Sequence, residues 1–377
     1  MKLTFQADVL NHIVAVVAKA TKPKDTGIGA ENIRIKVDKD KTIFTGTDLE
    51  IQLNATVPLK SEQTGEVAIP AQSFSQYLAT LGEADKVELE VQDSYLVVKA
   101  GNGTARFNVA NTKDFPVIEE ENLSIFAELP VEEMLKLIKH TVFAALKGDE
   151  TRPVLNGIFF DGNKEVLTAV SLDTFRMSVH KTKEKPKTKG SFSVTYRALV
   201  LLERILRDSL LANIIGDQKI TILINKDISL VAFKYGDIVL YVKVIEGTYP
   251  DYSSIIPVDF KVSGTVNVPA FMTALRRVGV FAQNSITKQV IFDIREDTLI
   301  LSSEAQENGD SQQSVAAKFK GEGLPLKIGF QYKFIIEFLN SVDSGSIEIK
   351  AINPMSPVLF KPQDDKSYVH VIMPLKL

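Results

Sequence analysis

Three stretches of this chain repeat one pattern in one order: a helix with a single apolar face, then an extended run and a turn. The middle copy, residues 129–146, reads LPVEEMLKLIKHTVFAAL. Pro130 presets φ for a helix start, and Glu132 and Glu133 fall in the first turn, where the helix dipole favours negative charge. Met134, Leu135, Ile138 and Val142 recur at helical spacing on one side, with Lys136, Lys139 and His140 on the other. An extended run at 154–160 follows, then a turn at Asp161, Gly162 and Asn163. The first copy places Val9, Leu10, Ile13 and Val17 within 5–19, with a strand at 32–37. The third places Phe271, Met272, Leu275 and Val278 within 268–281, with a strand at 290–294. Leu10, Leu135 and Met272 are equivalent points, about 125 and about 137 residues apart. A period that long describes repeated domains, because solenoid units run roughly 20–50 residues.

Each third carries a second helix preceded by a strand. The strands are 67–70, 192–194 and 326–328, and the helices are 70–81, 195–208 and 331–342. Phe74, Leu199 and Phe334 are equivalent positions in these helices. Alternating apolar and polar segments follow: Val87, Leu89 and Val91 in the first third, Ile220, Ile222 and Ile224 in the second, Ile347 and Ile349 in the third. Strict alternation implies antiparallel strands with one solvated face. Two polar, proline-punctuated and non-periodic segments, 111–124 and 246–259, separate the thirds. The expected domains are therefore 1–124, 125–255 and 256–377. The expected class is α+β, each domain having two helices packed on one face of antiparallel sheets.

The chain has no cysteine, which excludes a disulfide scaffold, a thiolate metal site and a cysteine nucleophile. Gln6, Asp8, Asn11 and His12 interrupt the first twenty residues, so neither a signal peptide nor a membrane span is expected, and the compartment expected is the cytoplasm. The net charge is −3, but its distribution is uneven. The two helices of each third hold nine Lys and Arg against six acids, a balance of +3 that leaves −6 on the rest. A basic set of helices on an acidic protein suits a polyanion held without sequence specificity.

An enzyme is the first rival reading. His12, His140, His180 and His370 share no metal-ligand spacing, and no metal or cofactor is expected. Gly27-Ile28-Gly29-Ala30 resembles part of a phosphate loop but lacks the third glycine and follows a helix. Asp48, Glu50 and Asp173 suggest paired carboxylates, yet they recur with the domain repeat at turns. The second rival is an array of three carbohydrate- or protein-binding modules. Three similar units also suit a curved array, which a head-to-tail contact between copies closes into a ring.

Thr45-Gly46-Thr47-Asp48-Leu49-Glu50, Asp114-Phe115-Pro116, Tyr249-Pro250-Asp251-Tyr252, Ile328-Gly329-Phe330 and the terminal Met373-Pro374-Leu375-Lys376-Leu377 resemble the bacterial sliding clamp family, the β subunit of DNA polymerase III. The resemblance covers the whole chain in order. It implies a non-catalytic homodimeric ring around double-stranded DNA that confers processivity. It also implies one docking pocket per subunit for short peptides of the polymerase α subunit, the clamp loader and repair proteins.

By matching position, the pocket takes Leu155, Leu172, Thr174, Phe175, Arg176 and Met177 from the second domain, with Pro250 and Ile255 from the linker. The third domain adds Phe334, Ser356, Val371, Met373, Pro374, Leu375 and Leu377. The apolar run 371–375 is expected to dock or line a groove. Within 170–177 the chain departs from the family: Leu172 stands where a Thr is usual, Phe175 where a His or Tyr is, and Met177 where a Leu is. A more apolar pocket is expected.

The dimer contact implied joins Arg106, Phe107 and Val109 to Val280 and Phe281. The DNA-facing set comprises Lys22, Lys24, Lys147, Arg152 and Lys288 in loops, with Lys136, Lys139, Arg197, Arg204, Arg207 and Arg276 on helices.

Overall fold

The computed structural model describes every residue except 23–28, 83–85, 120–121, 149–150, 212–217 and 306–308. The described chain forms two compact units. One comprises Met1–Glu132 with Arg197–Val244, the other Glu133–Tyr196 with Ile245–Leu377.

The first third begins with β1 (Lys2–Gln6) and α1 (Ala7–Ala18), then β2 (Asn32–Val37), β3 (Thr42–Thr47), β4 (Ile51–Val57), β5 (Gly65–Pro70) and α2 (Ala71–Leu78). It closes with β6 (Lys86–Gln92), β7 (Tyr95–Ala100) and β8 (Gly103–Asn108). The second third repeats the order: β9 (Ser124–Pro130), α3 (Val131–Thr141), β10 (Gly157–Asp161), β11 (Thr168–Leu172), β12 (Arg176–Lys181), β13 (Ser191–Thr195), α4 (Tyr196–Leu211), β14 (Lys219–Ile224), β15 (Leu230–Tyr235) and β16 (Ile238–Lys243). So does the third: β17 (Val262–Asn267), α5 (Val268–Asn284), β18 (Gln289–Ile294), β19 (Thr298–Ala305), β20 (Gly309–Gly321), β21 (Leu326–Gln331), α6 (Tyr332–Ser341), β22 (Ser346–Ala351), β23 (Val358–Pro362) and β24 (Tyr368–Ile372).

Among the described residues all strand pairings are antiparallel, and each third contributes two four-stranded sets. In the first third they run β5-β2-β3-β4 and β1-β6-β7-β8. The sets do not stay separate. β4 pairs with β16, Ile51 opposite Val242, which makes an eight-stranded sheet ending in β9. β12 pairs with β24 in matching register, Arg176 opposite Ile372, inside a twelve-stranded sheet.

Helical spacing decides which face each helix buries. Leu10, Val14 and Val17 of α1 are fully covered, and α1 packs against α2. In α5 the Asn267 carboxamide oxygen accepts from Ala270 N at 3.0 Å, satisfying one of the helix's orphan N–H groups. Phe271, Leu275 and Val278 then face the core. Gly279 lies against α6, where a Cβ would stand 2.3 Å from the Tyr332 ring.

Several expected elements differ: residues 154–156, expected as extended, belong to a 3-10 turn, Pro153–Asn156, before β10, and the first helix starts at Ala7, after Phe5 and Gln6 have ended β1. Pro130 ends β9 instead of opening the helix, which begins at Val131. β1, β9 and β17 each run into their helix with no intervening turn, so the strand and helix periods merge on paper. The strands at 42–57 and 168–181 also lack the alternation used above: β11 is buried at every position, covered on both faces.

Gly46 on β3 makes the tightest approach to α1. A Cβ there would lie 2.4 Å from the Val17 carbonyl oxygen. At the equivalent position of β11, Ser171 Oγ donates to Thr141 O at 2.6 Å. Gly46→Ala is expected to lower stability by about 1–3 kcal/mol through forced displacement of α1, read as a reduced midpoint of urea unfolding.

Candidate peptide-docking site

The site is built on a turn that occurs twice. Between β3 and β4, Asp48 Oδ1 accepts from Glu50 N at 3.0 Å and Ile51 N at 2.9 Å. Between β11 and β12, Asp173 Oδ1 accepts from Phe175 N at 3.2 Å and Arg176 N at 3.1 Å. The residue after each aspartate takes a left-handed backbone, Leu49 at φ 79° and Thr174 at φ 85°. That conformation costs a non-glycine residue about 1–3 kcal/mol and persists because the aspartate ties both flanks. These carboxylates are therefore turn caps, not a catalytic pair.

Arg176 converts the second turn into a rigid wall. It is only 7% exposed, and its guanidinium has four partners. Nε donates to Asp173 Oδ2 at 2.8 Å, Nη1 to Glu337 Oε2 at 2.5 Å and Nη2 to Phe143 O at 2.7 Å. Its flat face lies 4.5 Å from the Phe334 ring centre. On its other side Phe334 meets Phe175 at 6.3 Å, nearly parallel. Phe175 remains 53% exposed.

Beside this wall lies a cavity of about 250 Å³, lined by Leu172, Thr174, Phe175, Arg176, Met177, Ile255, Val371 and Met373. Leu172, Met177 and Val371 are buried and pack with Leu155. Met373 sits on the rim, where its N–H donates to Phe175 O at 2.7 Å. Farther along, Leu375 N–H donates to Gly329 O at 2.8 Å, so the segment after β24 docks on β21. Pro250 and Leu377 are exposed, Pro374 is half-buried, and Ser356 bonds Asn353 within its own loop. The structure thus gathers eight of the expected residues around one cavity, with Phe334 and Leu155 behind them.

The reverse face of β12 and β24 carries a layer of buried polar groups that sequence reading left unassigned. His180 Nε2 bonds Glu133 Oε1 at 3.0 Å, and His180 Nδ1 meets His140 Nδ1 at 2.9 Å. His140 stacks on Tyr368 at 3.9 Å, and Ser178 Oγ meets His370 Nδ1 at 2.7 Å. Burial, then the neighbouring His180, pulls His140 down to about 3. Burial, then Arg176, takes His370 well below its ordinary value. Among the described residues no group of three His, Asp or Glu side chains has a metal-binding arrangement.

Several cations of the expected DNA-facing set have partners. Lys136 pairs with Asp365 at 2.7 Å, Lys139 with Asp343, and Arg207 with Glu203 at 2.9 Å. Arg197 reaches Asp48 at 2.5 Å and Glu50 at 3.6 Å, and the Lys147 ammonium lies 5.4 Å from the Tyr196 ring centre. Arg152, Arg204, Arg276 and Lys288 are exposed and Lys22 is half-buried; Lys24 and Gly27 lie outside the described residues. Such pairs are worth about 0–1 kcal/mol each at the surface, so a stronger polyanion can displace them. In the expected dimer set, Arg106 and Val280 are exposed, while Val109 and Phe281 are half-buried. Phe107 packs its ring 5.3 Å from Phe74 and 5.7 Å from Tyr77 of α2.

Three copies of one helix-and-sheet unit, joined strand to strand beside an apolar cavity, define a clamp-type scaffold that holds partners. The chain belongs to the DNA polymerase III β-subunit family. The family's N-terminal domain matches residues 1–119, its central domain 128–251 and its C-terminal domain 253–376. The β sliding clamp of Bacillus subtilis is 27% identical over 388 residues, with both chains covered in full. That of Synechococcus elongatus is 26% identical over 383 residues, again with both covered in full. The crystal structure of the DNA polymerase sliding clamp from Bacillus subtilis superposes with a TM-score of 0.91 at 26% identity, covering 100% of this chain and 99% of that one.

Two buried histidines, His140 and His370, give stability a pH dependence of definite sign. Their folded proton affinity lies below the unfolded value near 6.5, so the unfolded chain takes up more protons as pH falls. Above pH 6.5 they contribute nothing to this difference. Below it stability declines, for His140 by about 2 kcal/mol at pH 5. Urea midpoints at pH 7 and pH 5 are expected to differ less for His140→Gln than for the parent chain.

Proposed function

We propose that two copies of this chain close head to tail into a ring around duplex DNA, while the cavity beside Phe175 takes short apolar peptides from replication proteins. The chain is a processivity clamp of the DNA polymerase III system and not a catalyst. The peptides belong to the polymerase α subunit, the clamp loader and repair proteins. The domains of the ring are 1–124, 125–255 and 256–377.

One observation carries the ring. β4 joins β16 and β12 joins β24, each junction repeating the same register one domain further on. The strand at the equivalent place in the third domain is β20, and the equivalent of β16 and β24 in the first is β8. Among the described residues, 309–316 of β20 pair only with β19, and β8 pairs only with β7. An unpaired edge invites another strand, and two such edges on one chain suit a heterologous contact that closes. Val280 and Phe281 stand beside the start of β20, where a Cβ on Gly309 would lie 3.8 Å from the Phe281 ring. This supports the expected contact with Arg106, Phe107 and Val109.

DNA is then retained by topology. Exposed Arg204, Arg276 and Lys288, with the paired cations of α3 and α4, make salt-screened phosphate contacts that permit sliding. Among the described residues no helix is long and apolar enough to cross a membrane. The cytoplasm, where the DNA lies, is the compartment this reading assigns.

Loaded on a nicked circular duplex, the chain is expected to stay bound and to be lost when that circle is cut; equal retention on both would disprove encirclement. Val280→Asp is expected to give folded monomers in sedimentation, because a buried unpaired charge costs several kcal/mol, roughly 3–5 for a missing partner.

A further inference from the structure

Each domain ends with the same manoeuvre. After β8, Ala110 N–H donates to Ala68 O of β5 at 2.8 Å; after β16, Ile245 N–H donates to Ser193 O of β13 at 2.9 Å; after β24, Leu375 N–H donates to Gly329 O of β21 at 2.8 Å. In every case the departing chain covers the outer edge of a strand. Two residues before the last two of these bonds, the chain also ties down a turn. Lys243 N–H donates to Glu50 O at 2.9 Å, and Met373 N–H donates to Phe175 O at 2.7 Å.

In the third domain this device meets the cavity. Met373 and Phe175 both line it, and the bond between them joins its two rims. Pro374 has no N–H, so after Met373 the next backbone tie is the bridge from Leu375 to Gly329. Gly329 lies between Ile328 and Phe330, both fully buried, and faces the other way. That face is closed. A Cβ on Gly329 would stand 1.9 Å from Gln289 Nε2 and 3.0 Å from Leu377 Cδ2. Gln289 Nε2 is itself buried and carries no hydrogen bond. The slot therefore admits a strand laid across a bare backbone and no side chain beneath it.

We propose that Gly329 is a positioning residue of the docking site. It accepts the Leu375 amide in this slot and so holds the 373–377 segment as a strap, with Met373 fixed on the rim against Phe175. Peptide residence is set by how firmly the strap is seated, although Gly329 lines no part of the cavity. Two neutral backbone hydrogen bonds hold the strap, so loss of one, with the Gly329 carbonyl left unpaired, shifts its equilibrium about tenfold. The proposal rests on reading the cavity as the peptide site.

The test uses a fluorescently labelled peptide from the polymerase α subunit and the full-length dimer. Leu375→Pro removes the donor, Leu375→Met keeps it, and Gly329→Val fills the slot from the other side. Leu375→Pro and Gly329→Val are expected to speed peptide dissociation about tenfold or more, with amide exchange in 368–377 accelerated by Gly329→Val. Leu375→Met is expected to stay near the parent rate. Dimerisation and the unfolding midpoint of Leu375→Pro are expected to stay unchanged. Dissociation from Leu375→Pro within twofold of the parent rate would overturn the proposal. Failure of the parent chain to bind the peptide would instead overturn the docking assignment itself.

Discussion

A strand at the edge of a sheet presents a row of N–H and C=O groups that need partners, and this molecule is organised by where those rows go. Each third contributes two four-stranded sets, which leave open edges at fixed places. β16 closes β4 and β24 closes β12. These junctions join strands of successive domains into continuous sheets. Their registers match because the turns before β4 and β12 are the same turn, held by Asp48 and Asp173. The proposed ring is the same junction made once more between copies.

The docking cavity is a by-product of such a junction, specialised by a few side chains. At the first junction, the Asp48 turn is met by Arg197 from the next domain's second helix. At the second the polarity is reversed: the turn supplies Arg176, and the next domain's second helix supplies Glu337. Moving the cation into the turn buries it, stacks it under Phe334 and frees Phe175 to stand exposed above the cavity. Met177 and Val371 face the cavity, while Ser178, His180 and His370 on the opposite faces of the same strands make a polar layer that anchors α3. The floor of an apolar site thus rests on a buried hydrogen-bonded layer in which His370 Nε2 has no partner among the described residues.

Much of this was legible in the residues. The threefold order of helices and strands follows from periodicity, because each copy must bury one helical stripe and one face of each alternating strand. Leu172, Met177, Val371 and Met373 could be grouped by resemblance, and the structure places them around one cavity. The roles of Phe143 and Glu337 were not legible. Both reach Arg176 from positions 33 and 161 residues distant in sequence. The repeat of Asp48 and Asp173 was visible, but its meaning as a turn cap depends on backbone angles that Leu49 and Thr174 would not suggest. Helix charge was countable, yet the partners of Lys136, Lys139 and Arg197 lie on other elements.

The amino-acid order alone determined the class, the number of repeats and the family, since these rest on spacing along the chain and local hydrophobic period. Tertiary structure alone decided which edges meet, which cations are already paired, and that Gly329 lies beneath the strap leading from the cavity rim. Those outcomes depend on distances between residues remote in sequence, where a shift of an ångström separates a hydrogen bond from a clash.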